Sequence, residues 1–373
     1  MLCVFIGFTK VSSAVVFCET KPTSPLPHAL TIDAEDWAAL MCMYSGRPIP
    51  VSPQFGGSVA DILEMLRSTD GLRGGCPLHV APSSAGCAVG ARTPSSAAVA
   101  GGESSVYGTT TATTPADEGV RAPTAGTFFV VAQHAAEEPA VVREIVARGH
   151  ELGSHAWTHH LVGAFSADEF REDLRRSVST LEDLSGRKVY GHRSPLFSLM
   201  PDHVWALEAM AEVGLEYDSS VFTLAWHRAG LMIPEQPFIF RLPSGRQIVE
   251  FPAPARKWGP MTVRFIGGRG ARLAPTSLFL RHLEEREEAG LPGMLYFHTY
   301  EMGSGNLAQY VPRSIGRKRL AIQAAAWAFR VGAGRLQRLV RRLLRDFQWA
   351  PMRQVIARLR EEGRLPVFEL PGG

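Results

Sequence analysis

The sequence predicts an α/β chain whose parallel strands form a distorted (β/α) barrel, and three observations predict it. Short apolar runs of strand length alternate with longer runs of helical spacing. Each apolar run leads straight into polar or charged residues, the arrangement of barrels whose working loops follow the strands. At 373 residues the chain is long enough for one such barrel or for two ordinary domains, and either buries a substantial core.

Residues 1–28 read as a leader of undefined role. Its stretch MLCVFIGFTKVSSAVVFC is apolar but broken by Lys10 and by Ser12-Ser13. It falls short of the roughly 20 residues a membrane helix needs, and it lacks the positive start of a secretory signal. A cytoplasmic location is favoured, with export or organelle targeting left open by this apolar start.

The barrel is predicted over 29–301. Residues 29–32 form a first buried strand that runs into Asp33-Ala34-Glu35-Asp36-Trp37, and 59–67 (VADILEMLR) have helical spacing. From about 70 to 126 the chain is Gly, Ser, Thr, Ala and Pro without periodicity. Such composition buries too little surface to offset its ordering entropy, so a disordered insertion is expected. Order resumes with a strand at 127–131 and a helix at 139–148, closed by Gly149 in the left-handed position that ends helices.

Residues 150–154 are a third strand, delivering His155 and His159. Ser166-Ala-Asp-Glu169 is a capping box opening a helix to about 184. A strand and turn at 189–193, a helix at 202–213 ending at Gly214, and Tyr217-Asp218-Ser219-Ser220 follow. Runs at 238–242 and 247–251 about Ser244-Gly245 predict a hairpin. A helix at 276–289 precedes the last barrel strand, 294–298. Residues 302–373 are expected to be a helical extension, with helix over 315–362. Arg330, Arg335, Arg338, Arg341, Arg342 and Arg345 give it a basic face, which is either solvated or a contact for membrane headgroups.

Composition excludes several classes. A net charge of +3 from 39 basic and 36 acidic residues argues against a dedicated nucleic-acid binder. Cys3, Cys18, Cys42, Cys76 and Cys87 show no CxxC spacing, which argues against a disulfide framework and a cysteine-held metal. Any metal must therefore be held by histidine and carboxylate. His155 and His159, four apart, can aim both imidazoles at one point from a helical turn or a tight loop. That suits a divalent ion, zinc above all, which takes neutral imidazole nitrogen.

Five polar clusters sit at strand ends: Asp33-x-Glu35-Asp36, His155-x-x-x-His159, Arg193-Ser-Pro195, Asp218-Ser-Ser220 and His298. In this order they resemble the motifs of polysaccharide deacetylases of the NodB-homology type (carbohydrate esterase family 4). The stretches DAEDW, TFFV, RGHELGSH, GHRSPLFS, YDSS and FHTYE are most similar to the subgroup tied to bacterial exopolysaccharide export and biosynthesis. The LLRDFQWAPM stretch extends the likeness beyond Met352.

The resemblance implies a metal-dependent hydrolase that removes N-acetyl groups from a polysaccharide or oligosaccharide amino sugar. It makes His155 and His159 metal ligands, with a carboxylate of the first motif as the third. The family has two adjacent Asp there, whereas Ala34 follows Asp33 here. Glu35, which shares the strand face of Asp33, and Asp36 both remain as the ligand. Asp33 is then the general base and His298 the acid that protonates the leaving nitrogen. Arg193 is implied to hold Asp33, where a cation favours the charged carboxylate, and Asp218 to orient His298. Tyr296 replaces an acetyl-pocket leucine, so Leu295 or Phe297 is expected to form that wall. Trp157 is a candidate sugar platform, and Arg272, with the 267–270 glycine loop, a candidate substrate contact. Two other functions remain open: an amidohydrolase acting on a small amide, and a non-catalytic carbohydrate-binding relative.

Overall fold

The computed structural model describes residues 26–35, 55–70, 124–258, 261–264, 271–272, 274–302, 320, 324 and 331–370. Most of the expected leader, the insertion from 71 to 123, Asp36, and the 267–270 loop lie outside the described residues.

A mixed α/β fold is built on a central, mostly parallel sheet. Its strands are β1 (His28–Ala34), β2 (Thr127–Val130), β3 (Glu151–Ser154), β4 (Gly191–His192), β5 (Tyr217–Asp218), β6 (Phe238–Arg241), β7 (Gln247–Glu250), β10 (Met294–His298), β11 (Trp349–Ala350) and β12 (Val367–Glu369). The strand order is β10-β1-β2-β3-β4-β5-β7-β6-β12, with β11 beside β1. Only β6 and β7 pair antiparallel within this sheet, as the hairpin expected about Ser244-Gly245. Among the described residues no pairing links the β10 and β12 edges. A separate hairpin, β8 (Ala255–Trp258) with β9 (Met261–Arg264), lies beyond β7.

Most of the helices pack on one face of the sheet, and the last packs against the other. The helices are α1 (Phe55–Asp70), α2 (Ala132–Glu137), α3 (Pro139–Ala147), α4 (Ala167–Ser185), α5 (Trp205–Val213), α6 (Thr223–Arg228), α7 (Thr276–Glu288), α8 (Thr299–Met302), α9 (Ala333–Asp346) and α10 (Met352–Glu361). The sequence signals act where they were read. Ser166 and Glu169 form a reciprocal capping box at the start of α4, and Gly149 and Gly214 take positive φ of 80° and 93° at helix ends. The 202–213 helix begins as a single 3₁₀ turn, Pro201–His203, before α5.

Side chains alternate across the strands. Leu30, Ile32, Phe128, Val130, Leu295 and Phe297 join the core against the helices. Ala29, Phe129, Tyr217, Val249, Met294 and Tyr296 face the other way, into a second core. Gly191 lies on that crowded inner side, where a Cβ would overlap the Tyr217 ring.

The C-terminal extension completes this second core. Helix α10 contributes Met352, Val355, Ile356 and Leu359. Its first turn is tied to the starts of β2 and β3: Met352 N donates to Thr127 Oγ1 at 2.8 Å and Arg353 N to Glu151 Oε2 at 3.2 Å. Burying such side chains contributes about 1.5–3 kcal/mol each. Together they are comparable to the ~5–15 kcal/mol net stability of a domain. The extension is therefore not uniformly helical: β11 and β12 interrupt it and extend the sheet, because Trp349 and Phe368 are needed as core residues there. On α9 the exposed Arg338, Arg341, Arg342 and Arg345 oppose the buried Leu336, Leu339, Val340, Leu343 and Leu344. No helix among the described residues is long and apolar enough to cross a membrane. Because α10 plugs the end where β2 and β3 begin, the opposite end of the strands is left for polar residues.

Candidate active site

That opposite end gathers the carboxylates and histidines. The parallel register sets Asp33 beside His298. Glu35 follows one step beyond the end of β1, and its carboxylate contacts His159 Nε2 and lies 3.5 Å from His155 Nε2. Ligand atoms of Glu35, His155 and His159 all fall within 4.8 Å of one another, and the three residues are buried. The histidines come from a tight loop rather than a helix, with Ala156 in left-handed conformation at φ 66°.

The donor set fits a divalent cation. His155 Nδ1 lies 2.7 Å from the Arg193 carbonyl, which can only accept, so Nδ1 carries the proton and Nε2 turns its lone pair toward Glu35. Glu35 Oε2 is a buried atom without a hydrogen-bond partner. Lone pairs converging from carboxylate and imidazole are what a cation reconciles. Burial works to raise the Glu35 carboxyl, but the surrounding imidazoles, His159 first, then His155 and His298, hold it well below the ordinary carboxylate range. Behind this cluster on α2, burial chiefly holds His134 down at about 4.

Asp33 is held by Arg193. The guanidinium donates to Asp33 Oδ1 at 2.7 Å and to Thr31 Oγ1 at 3.1 Å. Its other nitrogens reach the Ser219 carbonyl and hydroxyl at 3.3 and 3.0 Å. The fully buried group also lies 4.2 Å above the Phe129 ring. Asp33 Oδ2 is left facing His155 Nε2 at 4.0 Å.

His298 is held by Glu301. Both its backbone N–H and its Nδ1 lie 3.0 Å from Glu301 Oε2. Burial alone would lower this imidazole, but the Glu301 charge and hydrogen bond, then Glu35 and Asp33, outweigh it and raise the group to about 9. Glu301 in turn is paired with the buried Arg272, and despite burial it is lowered by His298 and Arg272. Thr299 Oγ1 donates to the Glu35 carbonyl at 2.6 Å, tying the turn into α8 to the carboxylate of the histidine cluster.

Several expectations need correction. Asp218 does not orient His298. It accepts from Ser220 Oγ at 2.5 Å and sits beside Glu250 in register, and burial raises both carboxyls. Arg272 is buried and turned onto Glu301, to whose buried carboxylate it is the counter-charge. Leu295 and Phe297 pack with Leu30 and Ile32 on the helix side, so neither walls the site. The inner face carries Tyr296 instead, with Phe197 edge-on at 5.2 Å. The Trp157 ring is covered by the Arg176 guanidinium at 3.7 Å and packs on the core, which removes its free face. Glu301 itself went unread, although the FHTYE stretch places it three residues after His298.

Leu196 and Phe197 are consecutive non-glycine residues at φ 56° and 54°. Backbone of this kind costs roughly 1–3 kcal/mol per residue and concentrates at functional sites. It lays Phe197 against Tyr296 and leaves Leu196 exposed on a groove of about 610 Å³, which Leu161, Ala164, Met200 and Phe222 also line.

Comparisons with known proteins bear on the family and the fold. The family model described as polysaccharide deacetylase matches residues 121–217, and a domain of unknown function (DUF3473) matches 219–357. The site draws on both matched regions and on β1 ahead of them. A peptidoglycan-N-acetylglucosamine deacetylase of Bacillus cereus is 28% identical over 83 residues, 22% of this chain and 30% of its own length. An uncharacterized 30.6 kDa protein of Geobacillus stearothermophilus is 31% identical over 81 residues, 22% of this chain and 31% of its own. The chain thus matches under a third of the length of these curated relatives. The crystal structure of a candidate polysaccharide deacetylase from Mycobacterium smegmatis superposes with a TM-score of 0.50 at 16% identity, covering 95% of this chain and 99% of that one. That likeness speaks for the fold.

Proposed function

Starting from the polysaccharide deacetylase domain that this chain carries, we propose that it is a metal-dependent hydrolase removing N-acetyl groups from an amino sugar of a polysaccharide or oligosaccharide. One observation supports this most. The buried Glu35, His155 and His159 cluster adjoins both an arginine-held carboxylate, Asp33, and a carboxylate-held imidazole, His298.

Amide hydrolysis needs a base for the attacking water, stabilisation of the developing oxyanion, and an acid for the departing amine. A divalent ion, zinc by its donor set, would be held by Glu35, His155 and His159 and would supply Lewis acidity toward the acetamide carbonyl. Asp33 takes the water proton at Oδ2, because Oδ1 is engaged by Arg193. His298 gives a proton from Nε2 to the sugar nitrogen as the C–N bond breaks, because Nδ1 is engaged by Glu301. Water and amide thus become acetate and free amine, with the proton moved from Asp33 to solvent and His298 reloaded from it.

The test is acetate release from a panel of N-acetylated glycans set beside small cyclic amides, with metal-loaded and chelator-treated protein. Equal amounts of acetate and new amine from a glycan, abolished by chelation and restored by zinc, are expected. Turnover of only the small amides would place the chain with a different substrate class.

A further inference from the structure

Tyr296 is used by none of the steps above, yet its hydroxyl lies 2.8 Å from His298 Nε2. The register explains the approach. Tyr296 pairs with Thr31 and His298 with Asp33, so the tyrosine sits two residues deeper on the same inner face. Its ring meets Phe197 edge-on at 5.2 Å and the Arg193 guanidinium at 5.4 Å. The imidazole is held on three sides. Glu301 takes Nδ1, Tyr296 meets Nε2, and the Tyr300 ring stacks on its face with centroids 4.9 Å apart. Nε2 is the nitrogen that must meet the substrate, and Glu35 Oε1 is no nearer to it than 3.5 Å.

A hydroxyl suits this place for a chemical reason: it both accepts and donates. While His298 carries two protons, Nε2–H donates to the tyrosine oxygen. After that proton has passed to the leaving nitrogen, Nε2 holds a lone pair and accepts the tyrosine O–H. Both protonation states keep a partner without rotation of the ring. A phenyl would serve neither state, and a second carboxylate would hold the proton too tightly.

We propose that Tyr296 is a positioning residue for the deacetylation, its hydroxyl holding the His298 ring with Nε2 toward the site and then closing on that nitrogen once its proton has left. This rests on the reading of the chain as a deacetylase. Attack on the carbonyl needs no such help, whereas departure of a basic sugar amine does. The effect of losing the hydroxyl therefore follows leaving-group basicity.

The experiment compares wild type with Tyr296→Phe on an N-acetylated oligosaccharide and on an activated acetate ester, with metal content and histidine-ring ¹⁵N spectra of the metal-free proteins. The variant should lose roughly 10- to 100-fold in kcat on the amide, with KM within about twofold and the ester nearly unaffected. Metal content should match wild type, and the His298 ring-nitrogen signals should shift. Unchanged amide turnover, or equal loss on amide and ester, overturns the proposal while the deacetylase reading stands. If the variant does not fold, wild-type spectra decide: a His298 Nε2 signal without a hydrogen bond overturns it. A wild type that releases no acetate from any glycan is a separate result, failing the deacetylase reading and the positioning role with it.

Discussion

Asp33 and His298 stand side by side on adjacent parallel strands, yet the molecule holds them by opposite means. Asp33 is held from a distance: Arg193 lies 160 residues along the chain and reaches it from the end of β4 through the interior of the sheet. His298 is held locally, by a carboxylate three residues on, once the chain turns from β10 into the short helix α8. The Asp33 side, the proposed base, is thus a product of the whole fold. The His298 side, the proposed acid, is a product of one turn, backed by Arg272. The difference teaches that damage to the first should cost stability as well as turnover, whereas damage to the second should show mainly in the pH dependence.

The largest effect on turnover is expected at the proposed base, Asp33. Asp33→Asn keeps size and hydrogen bonding but cannot take the water proton, so turnover should fall about 10²–10⁴-fold in steady-state assays. Arg193→Ala should add a structural loss of about 3–5 kcal/mol in denaturant titrations, because it strands a buried carboxylate. An Arg193→Ala protein as stable as wild type would break the claim that this side depends on the whole fold.

Glu301→Gln probes the acid side with shape preserved. Its carboxylate is the foremost cause that raises His298 to about 9, so the alkaline limb of the rate profile should move to lower pH. Folding stability of the metal-free protein gives the same sign. A histidine raised from 6.5 to about 9 contributes stability that is fully present below 6.5 and lost as pH rises through about 9. Denaturant midpoints of the metal-free wild type should therefore decline across that window, and those of Glu301→Gln should decline less. The smallest effect on the alkaline limb is expected for Asp218→Asn, because Asp218 serves Ser220 and Glu250; a shifted limb there would restore it as the orienting group.

Legibility in the sequence followed the same division. The parallel strands and their helices were readable because periodicity, Gly149, Gly214 and the Ser166–Glu169 box are local signals. The histidine pair was readable from its spacing, and Arg193 only through resemblance, since no spacing predicts a contact across 160 residues. Glu301 was missed because strand alternation, which links Asp33 to Glu35, ends where α8 begins. Leu295 was misplaced for the converse reason: alternation does hold in β10, and it turns Leu295 away from the site and Tyr296 into it. The β8–β9 hairpin carried a signal in Gly259-Pro260 that went unused, and the short β11 and β12 have too few residues for any pattern to form.

The most direct test of the account is metal content, by elemental analysis, across five single variants purified alike and loaded with zinc. Glu35→Ala, His155→Ala and His159→Ala should each lose most of the bound metal, while Asp33→Asn and His298→Ala keep it and lose turnover instead. Occupancy unchanged in the first three, or lost in the last two, would contradict the division of this site into a metal triad, a base and an acid.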